Sequence, residues 1–160
     1  MPGPRGAAAS VGPVGYALAA MPAPELDQVQ HALRQAGAIA RPLARAEVAG
    51  WIERWKDAFA ATGTRLPYLW EAFTAEHAVV AKRDEAQRAY QRAAGEAHDF
   101  VALGAAGGWG VEWSGVVLPE RGLRDVVILP TNLSWTLACT HHDHLGPYFA
   151  WASQDGGVDA

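Results

Sequence analysis

A single cysteine, Cys139, stands in the chain. One thiol excludes an intrachain disulfide and fits a reducing compartment, so the expected location is the cytoplasm. No run approaches the roughly 18 apolar residues that a membrane helix needs, and no membrane partner is expected. Basic charge is also in deficit: 13 Lys and Arg against 17 Asp and Glu leave a net charge of -4. Phosphate backbones are held by basic stripes, so nucleic acid is not an expected partner either. The densest basic spot, Lys82-Arg83, runs straight into Asp84 and Glu85, as at a solvated helix start. Phosphate loops are missing too. The glycines of GAAGGWG do not open a helix after a strand with P-loop or dinucleotide spacing. No nucleophile elbow surrounds Ser114 or Ser134. Nothing in the sequence implies a cofactor.

What is present is an ordinary globular composition, half hydrophobic and about a fifth charged, over 160 residues. That length suits one domain with its own core. The expected division is a flexible Pro/Gly/Ala-rich leader over 1–23, a single domain over 24–152 and a flexible tail over 153–160. The leader has one arginine and an apolar stretch broken by Gly12, Pro13 and Gly15, which is poor signal-peptide chemistry. Met21, directly ahead of a helical pattern, is an alternative start.

Helical periodicity dominates the first part of the domain. Leu26, Val29, Leu33 and Ala36 lie at helical spacing, with Gly37 as a stop. Val48, Trp51, Ile52, Trp55 and Phe59 form one apolar face of a second helix that ends near Thr62-Gly63. Leu66-Pro67 opens a third, with Leu66, Trp70, Phe73 and His77 on one face. Asp84 caps a fourth, closed by Gly95; with Tyr90 as its only large apolar residue, that helix is expected on the surface.

Beyond Gly95 the period becomes that of strands. His98 to Gly104, Val111 to Leu118, Asp125 to Pro130, Leu133 to His141 and Pro147 to Ala152 read as extended segments. Thr131-Asn132 is a turn between two of them, predicting an antiparallel hairpin. The expected class is therefore α+β: N-terminal helices packed on a small antiparallel sheet formed by the C-terminal half. Trp109 and Trp113 flank the glycine-rich turn, and either one, if exposed, is a candidate partner anchor.

The densest chemistry lies in THHDHLGPYF, Thr140 to Phe149. Alternation places Trp135, Leu137, Cys139 and His141 on the core face, and Thr140 and His142 on the other. Cys139 then reads as a buried, inert thiol rather than half of a thiol–imidazole pair. A metal reading takes His141, Asp143 and His144 as nitrogen and oxygen ligands. Adjacent residues in one turn rarely converge unaided, so such a site also needs a distant ligand such as Glu71, His77 or His98. The default expectation is no metal.

YLWEAF and the later RDVVILPTNLSWTLACTHHDHLGPYF together resemble the bacterial domain-of-unknown-function family DUF4275. The first stretch matches at Tyr68, Leu69, Trp70 and Phe73. The second matches at Asp125, Val126, Trp135, Thr136, Thr140, His141, Gly146, Pro147, Tyr148 and Phe149. The resemblance spans roughly Arg65 to Phe149 and draws attention to His141, Thr140, Trp135, Trp70 and Tyr148. Two positions depart from the family pattern: Glu71 stands for histidine and His142 for glutamate. An acid and an imidazole with their places exchanged imply a contact between Glu71 and His142.

The family supplies no activity. Two functions are carried forward as expectations. One is a non-catalytic module binding an unknown protein partner, with immunity proteins as one type. The alternative is a small metal-dependent or acid–base hydrolase using His141, Asp143, His144 and Glu71.

Overall fold

The computed structural model describes residues 24–60, 65–74, 80–142 and 144–152. The leader, the tail, the Thr62-Gly63 helix end, His77 and Asp143 lie outside the described residues. The class is α+β, with the helices drawn mainly from the N-terminal half and the long strands from the C-terminal half.

Helix α1 (Pro24–Gln35) carries Glu25 and Asp27 in its first turn and Arg34 in its last, the charge order that complements its dipole. It buries Val29 and Leu33 and gives way to Gly37 at φ 86°. Helix α2 (Arg45–Phe59) buries Val48, Trp51 and Trp55 along one stripe, as its spacing requires. The Glu47 carboxylate accepts the N–H of Ala44 at 2.8 Å and so satisfies one of the helix's free donors.

The expected third helix is instead a five-residue 3-10 turn, Leu69–Phe73. Its entrance explains why. The Leu69 N–H, free at the head of an isolated helix, donates to the Ala105 carbonyl at 2.8 Å. That bond ties the segment to the end of a strand, and the tight turn then drives Leu69, Trp70 and Phe73 all into the core.

Helix α3 (Arg83–Gly95) also differs from expectation. It does not lie on the surface, because Ala86, Tyr90, Ala93 and Ala94 are buried. Small side chains allow the helix to settle closely on the sheet, and Tyr90 fills what remains, its hydroxyl donating to the Leu118 carbonyl at 2.6 Å. No side-chain cap opens this helix; the residue before it is Lys82, and Asp84 sits inside the first turn.

Among the described residues, seven antiparallel strands make one sheet: β1 (Arg41–Pro42), β2 (Ala81–Lys82), β3 (Asp99–Gly104), β4 (Gly110–Ser114), β5 (Val126–Pro130), β6 (Trp135–Cys139) and β7 (Tyr148–Trp151). Their spatial order is β1-β4-β3-β5-β6-β7-β2. The β5–β6 hairpin forms as predicted, with Val126 opposite Cys139 and Ile128 opposite Leu137. In its turn the Asn132 side chain accepts the Ser134 N–H at 3.0 Å, an Asx turn.

Alternation along the strands fills two cores rather than one. Phe100, Ala102, Val126, Ile128, Trp135, Leu137 and Cys139 meet α1 and α3. Val101, Leu103, Val127, Leu129 and Ala138 meet α2 and the 3-10 turn. The expectation of one covered face is thus corrected. Thr140, placed on the face away from the core, is buried, and so is Thr136. A sheet covered on both sides can carry near-continuous apolar strands such as VVIL, which explains why DVVILP shows no alternation.

Trp113 is buried and stacks on Phe100 at 5.4 Å, so it is no partner anchor. Trp109 is half-buried and folds over Gly104, where a Cβ would stand 2.5 Å from its Nε1 and 2.9 Å from the Gly107 carbonyl oxygen. Gly104→Ala is expected to destabilise the protein by about 1–3 kcal/mol, read as a lowered denaturant midpoint. Wild-type stability in that variant would mean that Trp109 does not close over the strand.

Cys139 is buried as predicted. Burial, and then the nearby charges of Glu120 and Asp125, push its thiol up to about 12. Alkylation at neutral pH should fail on the native protein and reach one label per chain in denaturant, counted by intact mass. Rapid native labelling would contradict this burial.

Candidate functional site

At the end of the sheet where β5 begins and β6 stops, two distant segments come together. Asp125 precedes β5 in a left-handed backbone conformation, φ 55°. Asparagine and aspartate tolerate this region better than other non-glycine residues, and it often marks a functional position. Its carbonyl accepts the Ala105 N–H at 2.8 Å. Ala105 in turn holds Leu69, so the 3-10 turn and Asp125 are placed by one chain of main-chain bonds.

The Asp125 carboxylate has two side-chain partners. Trp70 donates its indole N–H to Oδ1 at 2.9 Å. Nδ1 of His141 lies 2.9 Å from Oδ1 and 3.1 Å from Oδ2. A carboxylate only accepts, so Nδ1 carries the proton and neutral His141 presents its lone pair at Nε2. Nε2 has no hydrogen-bond partner among the described residues, and the His141 side chain is 35 % exposed while that of Asp125 is 17 %. The ring is held between aromatic edges: Tyr68 at 5.2 Å and Trp70 at 5.4 Å between centroids. Tyr68 and Trp70 stack on each other at 5.3 Å.

His141 therefore does not share a face with Cys139. The last ladder pair of β6 is Cys139 with Val126, and past it the backbone leaves the strand. Thr140 stays buried, and His141 turns to Tyr68 and Trp70, which belong to the layer opposite that of Cys139. Alternation fails here because it holds only where the ladder continues.

The surrounding turn is braced rather than loose. The Thr140 hydroxyl accepts the His142 N–H at 3.0 Å. Arg83 donates its guanidinium to the His144 carbonyl and its backbone N–H to the Pro147 carbonyl. A Cβ on Gly146 would stand 2.5 Å from the Thr140 methyl, so glycine lets the turn close.

Of the residues singled out in the sequence, His141, Trp70 and Thr140 meet at this site. Trp135 and Tyr148 do not. Trp135 packs between Tyr90 and Phe149, and Tyr148 is buried beside Phe73. Glu71 accepts the Tyr68 N–H at 2.9 Å, capping the 3-10 turn. Among the described residues Glu71 and His142 form no ion pair, so the exchanged contact does not occur. His142 is exposed, 4.1 Å from the His141 ring and 5.8 Å from that of His144. Asp143 of the metal reading lies outside the described residues, and among those described no group of three or more His, Cys, Asp or Glu is placed to hold a metal.

Asp125 and Tyr68 are the members that sequence reasoning left out of the site. A signal for Asp125 was present: a carboxylate at the head of the apolar run VVIL must find a donor or face water. Comparison of the chain with family models, curated proteins and solved structures finds no match.

Proposed function

We propose that the protein is a small acid–base hydrolase whose proton-transferring group is His141, with Asp125 as its orienting carboxylate. One observation carries this reading: Asp125 holds Nδ1 of His141, while Nε2 of this partly exposed side chain has no hydrogen-bond partner among the described residues. An imidazole in that tautomer takes a proton from water as the water attacks an electrophilic carbon or phosphorus, then returns it to the leaving group. Support comes also from the sequence. The two stretches that resemble DUF4275 contribute Tyr68 and Trp70 from one end, and Asp125, Thr140 and His141 from the other. The test is turnover of chromogenic carboxylic esters, phosphoesters and anilides by the wild type and by His141→Asn. At least one class should be hydrolysed by the wild type alone. Equal rates for both proteins across all three classes would end the proposal.

A second reading, a module that binds a protein partner, is favoured by apolar side chains left in solvent. Trp151 is 62 % exposed and Ile39 is 89 % exposed. This reading takes Trp151, not Trp109 or Trp113, as the anchor. Partner capture lost on Trp151→Ala but kept on His141→Asn would favour it over hydrolysis.

A further inference from the structure

The indole of Trp70 shares an acceptor with His141. Both N–H groups converge on Oδ1 of Asp125, at 2.9 Å each. Trp70 is buried and its ring is locked between Tyr68 and His141, so its donor is fixed in direction as well as in distance. A carboxylate oxygen that already accepts one hydrogen bond has less charge density to offer a second donor. Its attraction for an imidazolium is correspondingly reduced.

We propose that Trp70 is the positioning and tuning residue of the site, acting on His141 through Asp125. It has two effects. It holds the carboxylate at the angle that keeps the proton on Nδ1, and it weakens the preference of His141 for the charged form. This inference rests on the acid–base reading of His141 for its purpose, but its observable does not depend on any turnover.

The groups around His141 that bear on its charge are few among those described. Asp125 faces it from the head of β5, and Tyr68 and Trp70 from the 3-10 turn. His142 lies against its ring, with His144 beyond. Glu71 is bonded to the Tyr68 N–H, and Arg83 to the His144 carbonyl. Arg124 adjoins Asp125 in sequence and is itself engaged. A change at the Trp70 nitrogen leaves these groups in place.

The experiment is an NMR titration of the imidazole nitrogens in uniformly 15N-labelled protein, with the His141 signals assigned by their loss in His141→Asn. In the wild type at high pH, His141 should carry its proton on Nδ1. In Trp70→Phe the midpoint of its titration should rise by about 0.5 pH units or more, because the whole charge of Asp125 then falls to His141. In Asp125→Asn the midpoint should instead fall below that of the wild type. Phenylalanine also leaves a gap in the core, so the same titration is made with benzothienylalanine at position 70, which keeps the bicyclic shape and lacks only the N–H donor. A rise in that variant establishes the role of the donor. An unchanged or lowered midpoint there, or a wild-type proton on Nε2, overturns the proposal. Either result can be obtained whether or not a substrate is hydrolysed, so failure of the hydrolase reading is separately visible.

Discussion

Asparagine in place of Asp125 is expected to keep the protein folded and, on the proposed hydrolase reading, to lower His141-dependent turnover by about 10²–10⁴-fold. The amide retains an oxygen that can accept the Trp70 N–H, now made to Oδ1 at 2.9 Å. Turned that way, its NH2 group takes the place of Oδ2, 3.1 Å from Nδ1 of His141, while the amide oxygen stays at the Oδ1 position, 2.9 Å away. Nδ1 then faces one neutral acceptor, already shared with Trp70, and one competing donor, so the tautomer that leaves the Nε2 lone pair free loses most of its support. Alanine at the same position does something different. It leaves the buried indole N–H without an acceptor, a loss of about 1–3 kcal/mol in stability. Comparing the two variants by thermal unfolding and by turnover separates the tautomer from the fold. An Asp125→Asn variant as active as the wild type would remove Asp125 from the proposed catalytic role.

Trp55→Ala should be among the most destabilising single changes in the chain, at about 3–5 kcal/mol. For a domain of this size that corresponds to a fall in Tm of about 6–20 °C. Trp55 has no exposed surface, and its ring touches Phe59 at 5.4 Å and Phe73 at 5.7 Å. Its indole N–H donates to the Thr136 hydroxyl at 3.0 Å, which itself donates to the Ile128 carbonyl. This bond joins α2 to the middle of the sheet. Phe73 also lies in the same short turn as Trp70, so a cavity at position 55 reaches the support of the His141 site. Calorimetry measures the effect directly. A loss below about 1 kcal/mol would mean that α2 is held elsewhere.

How much of this was legible in the sequence depended on whether a signal was local. The stripe through Val48, Trp51 and Trp55 is a periodic pattern within one element, and it predicted α2 and its buried face correctly. The five long strands were readable from equally local signals, short apolar runs bounded by turn residues. Helix α3 was misread because a run of alanines resembles a surface, yet small residues are what a helix needs in order to lie close to a sheet. The 3-10 turn was read as a longer helix because the bond that sets its entrance, Leu69 to Ala105, joins residues far apart in sequence. The site followed the same division. His141 was conspicuous in a run of histidines, and Trp70 stood in a motif. Their meeting point, Asp125, also matched the motif, but as a charge beside a buried strand it was not singled out for the site. Pairing it with His141 required knowing that β5 and β6 are adjacent and antiparallel.

The two outermost strands have a bearing on how this protein can associate. Each is a dipeptide, Arg41–Pro42 at one margin and Ala81–Lys82 at the other, laid against strands twice as long or more. A proline with no N–H to give, beside an arginine already paired with Glu47 and Glu112, and a lysine at the opposite rim are poor templates for a further strand. Lateral growth of the sheet into a polymer, or capture of another chain as an eighth strand, meets only short lengths of open ladder. Encounters with other molecules are thereby directed to side chains, and at the end of β6 the side chain on offer is an imidazole.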